Sequence, residues 1–279
     1  MIALSTGKTG RNDTLSEPNY RKIAVTDFKD PSLAVQLREL MPSGFIHCAW
    51  RGVAGSERNQ AWQLDTNIEM TIDVLRLARD SGCATFTGLG SQAEYGALGA
   101  KIAPTAQCEP TTLYGVAKLL ASQLTLAFCK ANAINGSILR VFSTYGNNDS
   151  PAWLLPYVTQ KMLANEPVAL TKCEQRWDYL HVNDAAEAVI QACLQHASGI
   201  FNLGSGVALP LKQYIEKLAE LTETTSEINY GEIAYRPDQV MHLEADIELL
   251  TSKLNWTPQV EFDVGAKWLV EYEKTRVEK

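Results

Sequence analysis

The chain has 279 residues, 46% of them hydrophobic, and can bury a large core as one large domain or two modest ones. Its net charge of −7 and the lack of a basic cluster argue against a nucleic-acid partner. No apolar run approaches the roughly 20 residues that span a bilayer, and the first residues lack a signal-peptide pattern, so we expect a cytoplasmic protein with no membrane partner.

Apolar segments of strand length alternate with amphipathic helical stretches along the first half of the chain. This alternation predicts an α/β fold in which helices cover both faces of a parallel sheet. The predicted strands lie at 23–25, 45–49, 83–87 and 137–142, and the predicted helices at 31–40, 65–81 and 112–132. Pro151, Pro156 and Pro167 loosen the pattern after residue 146, as expected of a second, smaller domain. A helix at 183–196 is predicted to return to the first domain.

The cysteines and histidines show no metal-binding pattern. None of the six cysteines forms a CxxC pair, and most lie in apolar stretches, which favours reduced thiols. The four histidines are scattered along the chain, so we expect no metal site.

Tyr114 and Lys118 lie four residues apart in the helix predicted at 112–132, so their side chains share one face. A tyrosine phenol has a pKa near 10 and is a poor base at neutral pH, but a neighbouring ammonium favours its phenolate form. Lowering this pKa to about 7 requires about 4 kcal/mol of charge stabilisation. Ser91 lies 23 residues before Tyr114. By spacing alone, a surface pair is the better interpretation of Tyr114 and Lys118, and Ser91 could be a turn serine at a strand end.

Five sequence motifs surround these residues in a fixed order. They read GLGSQAEYG at 88–96, EPTTLYGVAK at 109–118, LRVFSTYG at 139–146, DYLHVNDA at 178–185 and FNLGSG at 201–206. Together they resemble the extended short-chain dehydrogenase/reductases, a group of NAD(P)-dependent epimerases, dehydratases and reductases of nucleotide sugars. The resemblance runs from about residue 22 to about residue 270 and favours the catalytic interpretation of Ser91, Tyr114 and Lys118.

The resemblance implies a Rossmann-like, doubly wound parallel sheet followed by a smaller C-terminal α/β domain that binds the substrate. The first domain would comprise residues 1–146 and 176–199, and the second residues 147–175 and 200–279. Relatives begin with a strand, a glycine-rich turn and a helix, which hold the cofactor pyrophosphate. We expect this chain to lack that unit, because residues 2–5 resemble the second strand of relatives. Residues 7–13 are then the loop after that strand rather than a degenerate glycine turn.

The resemblance also implies that NAD or NADP is the cofactor. Tyr114 and Lys118 would bind its nicotinamide end, Lys118 through the ribose hydroxyls. The other cofactor-binding candidates are Asp27, Phe28, Cys48, Ala49, Trp50 and Asn67. Trp50 departs from the small residues usual in relatives and is expected to narrow the site. For Asn67, a polar residue at the start of a helix is the alternative interpretation.

The catalytic candidates are Ser91, Tyr114 and Lys118. Ser91 resembles the serine that bonds the reacting oxygen of the sugar, and Tyr114 the general acid/base. Sugar 4,6-dehydratases of this group place a threonine, an aspartate and a glutamate in succession at the position of Ser91. Gln92 and Ala93 cannot ionise, so epimerisation or ketone reduction is favoured over dehydration.

Four residues are candidates for substrate binding: Thr112, Ser143, Arg176 and Arg236. Arg236 resembles the arginine that grips the sugar-nucleotide diphosphate through its planar fork; a surface ion pair with Asp238 is the alternative. Trp177 stands where many relatives carry an arginine, and Arg176 is displaced by one position onto the opposite strand face. Ser143 replaces a common asparagine. A helix cap is an equal alternative for Thr112.

Two hypotheses about function follow. The first is an NAD(P)-dependent epimerase or 4-keto reductase of a nucleotide sugar that forms a homodimer, since relatives commonly pair through the helix bearing the tyrosine. The second is a truncated, catalytically silent nucleotide-sugar-binding or remnant protein, because loss of the first strand-turn-helix unit would remove most contacts to the pyrophosphate. Binding of NAD(H) or NADP(H) would discriminate between them.

Overall fold

A computed structural model of the protein describes residues 1–5, 21–236 and 239–277. The loop predicted at residues 7–13 lies outside these ranges, as does Asp238, the alternative partner of Arg236. None of the helices within the ranges combines the length and apolar character needed to cross a bilayer.

Eight helices and fourteen strands occur in the described ranges. The helices are α1 (Pro31–Glu39), α2 (Trp62–Asp80), α3 (Leu113–Ala131), α4 (Leu154–Leu163), α5 (Val182–Leu194), α6 (Leu211–Thr222), α7 (Glu248–Leu254) and α8 (Phe262–Val277). The strands are β1 (Ile2–Ser5), β2 (Arg21–Ala24), β3 (Gly44–His47), β4 (Thr85–Ser91), β5 (Lys101–Ile102), β6 (Asn135–Val141), β7 (Thr144–Tyr145), β8 (Val168–Leu170), β9 (Arg176–Asp178), β10 (Leu180–His181), β11 (Gly199–Leu203), β12 (Ala208–Pro210), β13 (Ile228–Tyr230) and β14 (His242–Ala245).

The central sheet has four parallel strands in the order β11-β6-β4-β3. On one face, Phe86 of β4 packs with Val74 of α2 and Cys129 of α3. On the other face, Leu139 of β6 packs with Ala188 of α5. Helices therefore cover both faces of a parallel sheet. The predicted Rossmann-like, doubly wound fold is confirmed.

Strands β1 and β2 form a separate parallel sheet of two strands. Ile23 of β2 belongs to a cluster with Leu33 of α1, Leu77 of α2 and Phe45 of β3, so this small sheet is anchored through the helices. Within the described ranges, β1 pairs with β2 and β3 pairs with β4, and the two sheets are not joined.

The C-terminal residues build a second core. Leu155 of α4, Ile215 of α6 and Leu269 of α8 are buried together in one cluster. Beside it, strands β12, β9, β14 and β5 form a mixed sheet in which β12 runs antiparallel to β9. The helices and strands β12 and β14 lie in the ranges that the sequence assigns to a smaller domain, whereas β5 and β9 lie in the ranges assigned to the first. The division into two domains remains our interpretation.

Strand β11 corrects the predicted domain boundary. It pairs with β6 in parallel along its whole length, so residues 200–203 extend the central sheet instead of belonging to the smaller domain. Trp256, which follows α7, packs in the same cluster as Phe201 of this strand. The boundary placed after residue 199 is therefore wrong at this strand. A short apolar strand carries no local sign of the sheet that it joins.

Candidate active site

Tyr114 and Lys118 share one face of α3, as predicted, and both are buried, with exposed fractions of 7% and 6%. The helix begins at Leu113 because Thr112 caps it: the Thr112 hydroxyl oxygen accepts a hydrogen bond of 3.1 Å from the Gly115 N–H. The main-chain N–H of Tyr114 donates to the Arg58 carbonyl at 2.8 Å. The start of α3 is thus fixed on both sides, and Thr112 has the capping role considered for it.

Ser91 ends β4 and lies against the start of α3, with 7% of its surface exposed. A side-chain hydrogen bond between Ser91 and Tyr114 acts on the pKa of the phenol. Lys118 Nζ donates a hydrogen bond of 2.9 Å to the Leu89 carbonyl, two residues before Ser91 on the same strand. The fold therefore brings Ser91, Tyr114 and Lys118 together at the carboxyl end of β4.

The charge balance at Tyr114 differs from the expectation that Lys118 lowers its pKa. Burial raises the pKa of the Tyr114 phenol above its ordinary value of 10.0, because it removes water from the phenolate; the Ser91 hydrogen bond and the Arg58 guanidinium act in the opposite direction. The Arg58 guanidinium carbon lies 5.1 Å from the centre of the Tyr114 ring, and Lys118 Nζ lies 6.0 Å from it. Arg58 is therefore the cation that favours the phenolate here.

Lys118 carries its ammonium in an environment that disfavours charge. Burial lowers its pKa from an ordinary value of 10.5 to about 8, while Glu94 and Cys48 act in the opposite direction. An ammonium has three N–H donors, and the bond to the Leu89 carbonyl uses one of them. Donor capacity for a further polar group therefore exists beside Tyr114.

Trp50 packs against both Tyr114 and Lys118. The centre of its ring system lies 3.8 Å from Lys118 Nζ, in cation–π contact, and it meets the Tyr114 ring edge-on at 6.1 Å. Its indole N–H donates to Gln63 Oε1 at 3.1 Å, which fixes the orientation of the ring. Trp50 thus lies against both residues, and the narrowing of the site expected from the sequence stays a prediction.

Asn67 holds the segment that carries Trp50. It is fully buried in α2; its Oδ1 accepts from the Arg51 N–H at 2.9 Å, and its Nδ2 donates to the Arg51 carbonyl at 3.1 Å. A side chain that satisfies both main-chain groups of one residue fixes the chain locally. The turn after β3 is thus tied to α2 directly beside Trp50.

The family described as NAD dependent epimerase/dehydratase matches residues 2–204. The chain belongs to this family. It is 30% identical over 132 residues to the CDP-abequose synthase of Salmonella muenchen, a match that spans 46% of this chain and 45% of that protein. It is 24% identical over 273 residues to the UDP-glucuronate 4-epimerase of Thermodesulfobacterium geofontis, which covers 96% of this chain and 83% of the relative.

Solved structures of epimerases share the fold of this family member. The UDP-glucose 4-epimerase of Thermotoga maritima with UDP-glucose superposes with a TM-score of 0.85 at 24% identity, covering 99% of this chain and 91% of the other. The UDP-glucose 4-epimerase of Thermus thermophilus with NAD gives a TM-score of 0.83 at 20% identity, covering 98% and 90%.

The remaining cofactor candidates follow strands β2 and β3. Asp27 accepts from the Lys29 N–H at 2.8 Å, and Phe28 packs in the cluster around Leu33. Cys48 and Ala49, which follow β3 directly, are both exposed. The roles given to these four residues stay predictions.

The three other substrate candidates, Ser143, Arg176 and Arg236, lie between β6 and β7, on β9 and after β13. The Ser143 hydroxyl oxygen accepts from the Trp177 indole N–H at 2.7 Å, so these two departures from the family pattern pair with each other. The Arg176 guanidinium donates to the Ala208 carbonyl on the neighbouring strand. Arg236 is exposed after β13. The first two side chains are engaged within the protein, and the contacts of all three with substrate stay predictions.

The sequence analysis missed three charged residues at this site: Arg58, Glu94 and Arg140. Glu94 and Arg140 form a buried ion pair of 2.7 Å, with side-chain exposures of 0% and 2%. One signal could have found Arg140, which interrupts the largely apolar strand predicted at 137–142. A charged residue inside such a strand requires a buried partner.

Replacement of Lys118 by methionine tests the buried ammonium through stability. Below pH 8 the ammonium is protonated in the folded and the unfolded chain, and its burial destabilises the fold. Between pH values of about 8 and 10.5 the folded chain has lost this proton and the unfolded chain retains it, so stability rises with pH. The stability advantage of Lys118→Met should therefore shrink by on the order of 3 kcal/mol across this window, as measured by urea unfolding.

Lys130→Met removes an exposed lysine from the same helix and is the matched control for loss of a helix cation. A stability difference between the wild type and Lys118→Met that stays constant across the window would contradict the presence of a buried, titrating ammonium.

Proposed function

We propose that this protein is an NAD(P)-dependent epimerase or 4-keto reductase that acts on a nucleotide sugar. The observation that carries the proposal is the convergence of Ser91, Tyr114 and Lys118 at the carboxyl end of β4, in a chain that belongs to the epimerase/dehydratase family. Ligands of open α/β sheets bind at the carboxyl ends of the strands.

NAD or NADP is the proposed cofactor, and its nicotinamide would supply hydride transfer. Lys118 would hold the ribose through the N–H groups that the Leu89 carbonyl does not use. Trp50 would line the nicotinamide end, and Asn67 would keep the turn that bears Trp50 in place. The solved complex of the Thermus thermophilus relative with NAD supports this assignment.

In the proposed chemistry Tyr114 moves a proton to or from the sugar oxygen, and Ser91 hydrogen-bonds the same oxygen. Because burial raises the pKa of Tyr114, the phenol holds its proton at neutral pH and is suited to donate it to a carbonyl oxygen. That direction is the reduction of a 4-keto sugar, the single step of a reductase and the second step of an epimerase.

The surroundings of Ser91 support these reactions over dehydration. Gln92 and Ala93 cannot ionise, and the carboxylate of Glu94 is bonded through both oxygens to groups of the protein. An elimination would need a further free acid or base. We also propose that Arg236 contacts the diphosphate of the substrate. We further propose that the protein is a homodimer paired through α3, and its molar mass in solution would test whether it is a dimer.

A second candidate function is nucleotide-sugar binding without turnover. The observation that favours it is the position of Trp50, whose ring lies directly over the Lys118 ammonium that a cofactor would need. Cofactor binding separates the two candidates because only the enzyme requires it.

Titration with NADH and NADPH, followed by nicotinamide fluorescence, measures this binding. We expect saturable binding of one of the two at submillimolar concentration. Trp50 provides an internal reporter, since a cofactor that contacts it should quench the tryptophan fluorescence, and Trp153→Phe, which removes an exposed tryptophan elsewhere, should leave that quenching in place. No binding of either cofactor at millimolar concentration would overturn the proposal in favour of the silent protein.

Tyr114→Phe tests the proton transfer. The change removes one hydroxyl, so we expect turnover to fall by roughly 100- to 10,000-fold while the fold and cofactor binding are retained. The matched control is Tyr157→Phe, which removes the hydroxyl of a tyrosine on α4 that is 37% exposed, and should keep full activity. Activity above a few per cent in Tyr114→Phe would exclude Tyr114 as the acid/base.

A further inference from the structure

Glu94 is a fully buried carboxylate that the proposed reaction does not use. It ends the 3-10 turn Gln92–Glu94, which follows β4 directly. Its Oε1 accepts hydrogen bonds from the Ser91 N–H at 2.9 Å and from the Ser122 hydroxyl at 3.0 Å. Its Oε2 accepts from Arg140 Nε at 2.7 Å.

These three bonds join the elements that build the active site. Ser91 ends β4, Ser122 lies on α3, and Arg140 lies on β6. Ser122 follows Tyr114 and Lys118 at intervals of four residues, so all three side chains lie along one face of the helix. One carboxylate therefore bonds the residue that carries the Ser91 hydroxyl and the helix face that carries Tyr114 and Lys118.

The turn that contains Glu94 approaches its neighbouring elements closely at two glycines. A Cβ atom on Gly90 would lie 2.5 Å from Glu94 Oε1, and a Cβ atom on Gly115 would lie 2.5 Å from the Ala93 carbonyl oxygen. Both distances are far below van der Waals contact, so glycine is required at the strand end and beside Tyr114. The turn is pressed against β4 on one side and the first turn of α3 on the other.

Arg140 is itself held from the opposite side. Its guanidinium carbon lies 4.4 Å from the centre of the Tyr95 ring, and the Tyr95 hydroxyl donates to Asn202 Oδ1 at 2.6 Å. A buried ion pair gives little net stability, because desolvation offsets the attraction between the charges. The better physical reason for a buried ion pair here is that it fixes the geometry of the active site.

We infer that Glu94, held by Arg140, is a positioning residue of this active site, which fixes Ser91 and the Tyr114–Lys118 face of α3 in one relative geometry. Its effect on turnover rests on the proposed function. The electrostatics agree, since the Glu94 carboxylate raises the pKa of Lys118. Two other titratable groups interact electrostatically with Lys118: His47, which ends β3, and Cys48, which follows it.

Glu94→Gln tests the inference because it keeps the shape of the side chain. The amide carries no charge and has one accepting oxygen in place of two, so it cannot accept from both Arg140 Nε and the Ser91 N–H, and one of these two anchors is lost. We expect kcat to fall roughly 10- to 100-fold with little change in KM, since misplacement of reacting groups lowers the rate more than binding. In a Ser91→Ala background the further loss should be small, because the effect passes through Ser91.

A second measurement does not depend on turnover. The pH step is the pH range over which the stability advantage of Lys118→Met shrinks. In the Glu94→Gln background this step should move to a lower pH, because a negative charge that favours the Lys118 ammonium is gone. Should Glu94→Gln fold poorly, the double variant Glu94→Gln/Arg140→Gln removes both charges together and should move the step in the same direction by less, because the Arg140 guanidinium, which disfavours the ammonium, is lost as well. The control is Asp184→Asn, another buried carboxylate, which accepts from the Gln259 and Val260 N–H groups and should leave the step in place.

The outcomes separate this inference from the proposed function. A wild type without turnover on any nucleotide sugar refutes the proposed function, and the pH step then decides the role of Glu94. A step that stays near pH 8 in both Glu94 variants overturns the inference. So do additive losses of kcat from Glu94→Gln and Ser91→Ala, or failure of both Glu94 variants to fold while Asp184→Asn folds, since either result assigns Glu94 a purely structural role.

Discussion

The docking of α3 against the carboxyl end of β4 is the constraint on which the site depends. Tyr114 and Lys118 face the strand end because α3 is capped by Thr112, anchored by the Arg58 carbonyl and closed against the turn that contains Glu94. Each of these bonds satisfies a polar group that would otherwise be buried unpaired. The chemistry of the site therefore follows from how one helix begins.

Burial sets the electrostatic character of this site more strongly than any single charge. It raises the pKa of the Tyr114 phenol and lowers the pKa of the Lys118 ammonium, so both groups are driven toward their neutral forms. Arg58 and Glu94 act against burial at Tyr114 and Lys118 respectively. The result is a protonated phenol beside an ammonium that loses its proton near pH 8, a pairing suited to proton donation at neutral pH.

The sequence predicted the elements of this fold well where the pattern was local. The spacing of Tyr114 and Lys118 and the alternation of strands and helices depend on neighbours along the chain, and the structure contains them. Strand β11 was assigned to the wrong domain, because its sheet partner β6 is distant in sequence. The direction of the Tyr114 pKa depends on burial, which helical spacing does not report. The Glu94–Arg140 pair joins residues 46 positions apart and had no local sign except a charge in an apolar strand.

The measurement that tests the central claim most directly is a crystal structure of the protein with cofactor and a nucleotide sugar. The account predicts that the Tyr114 and Ser91 hydroxyls both lie about 2.6–3.2 Å from the same sugar oxygen, with Lys118 beside the ribose of the dinucleotide. A sugar bound away from the carboxyl end of β4, or a cofactor with no contact to Lys118, would contradict it.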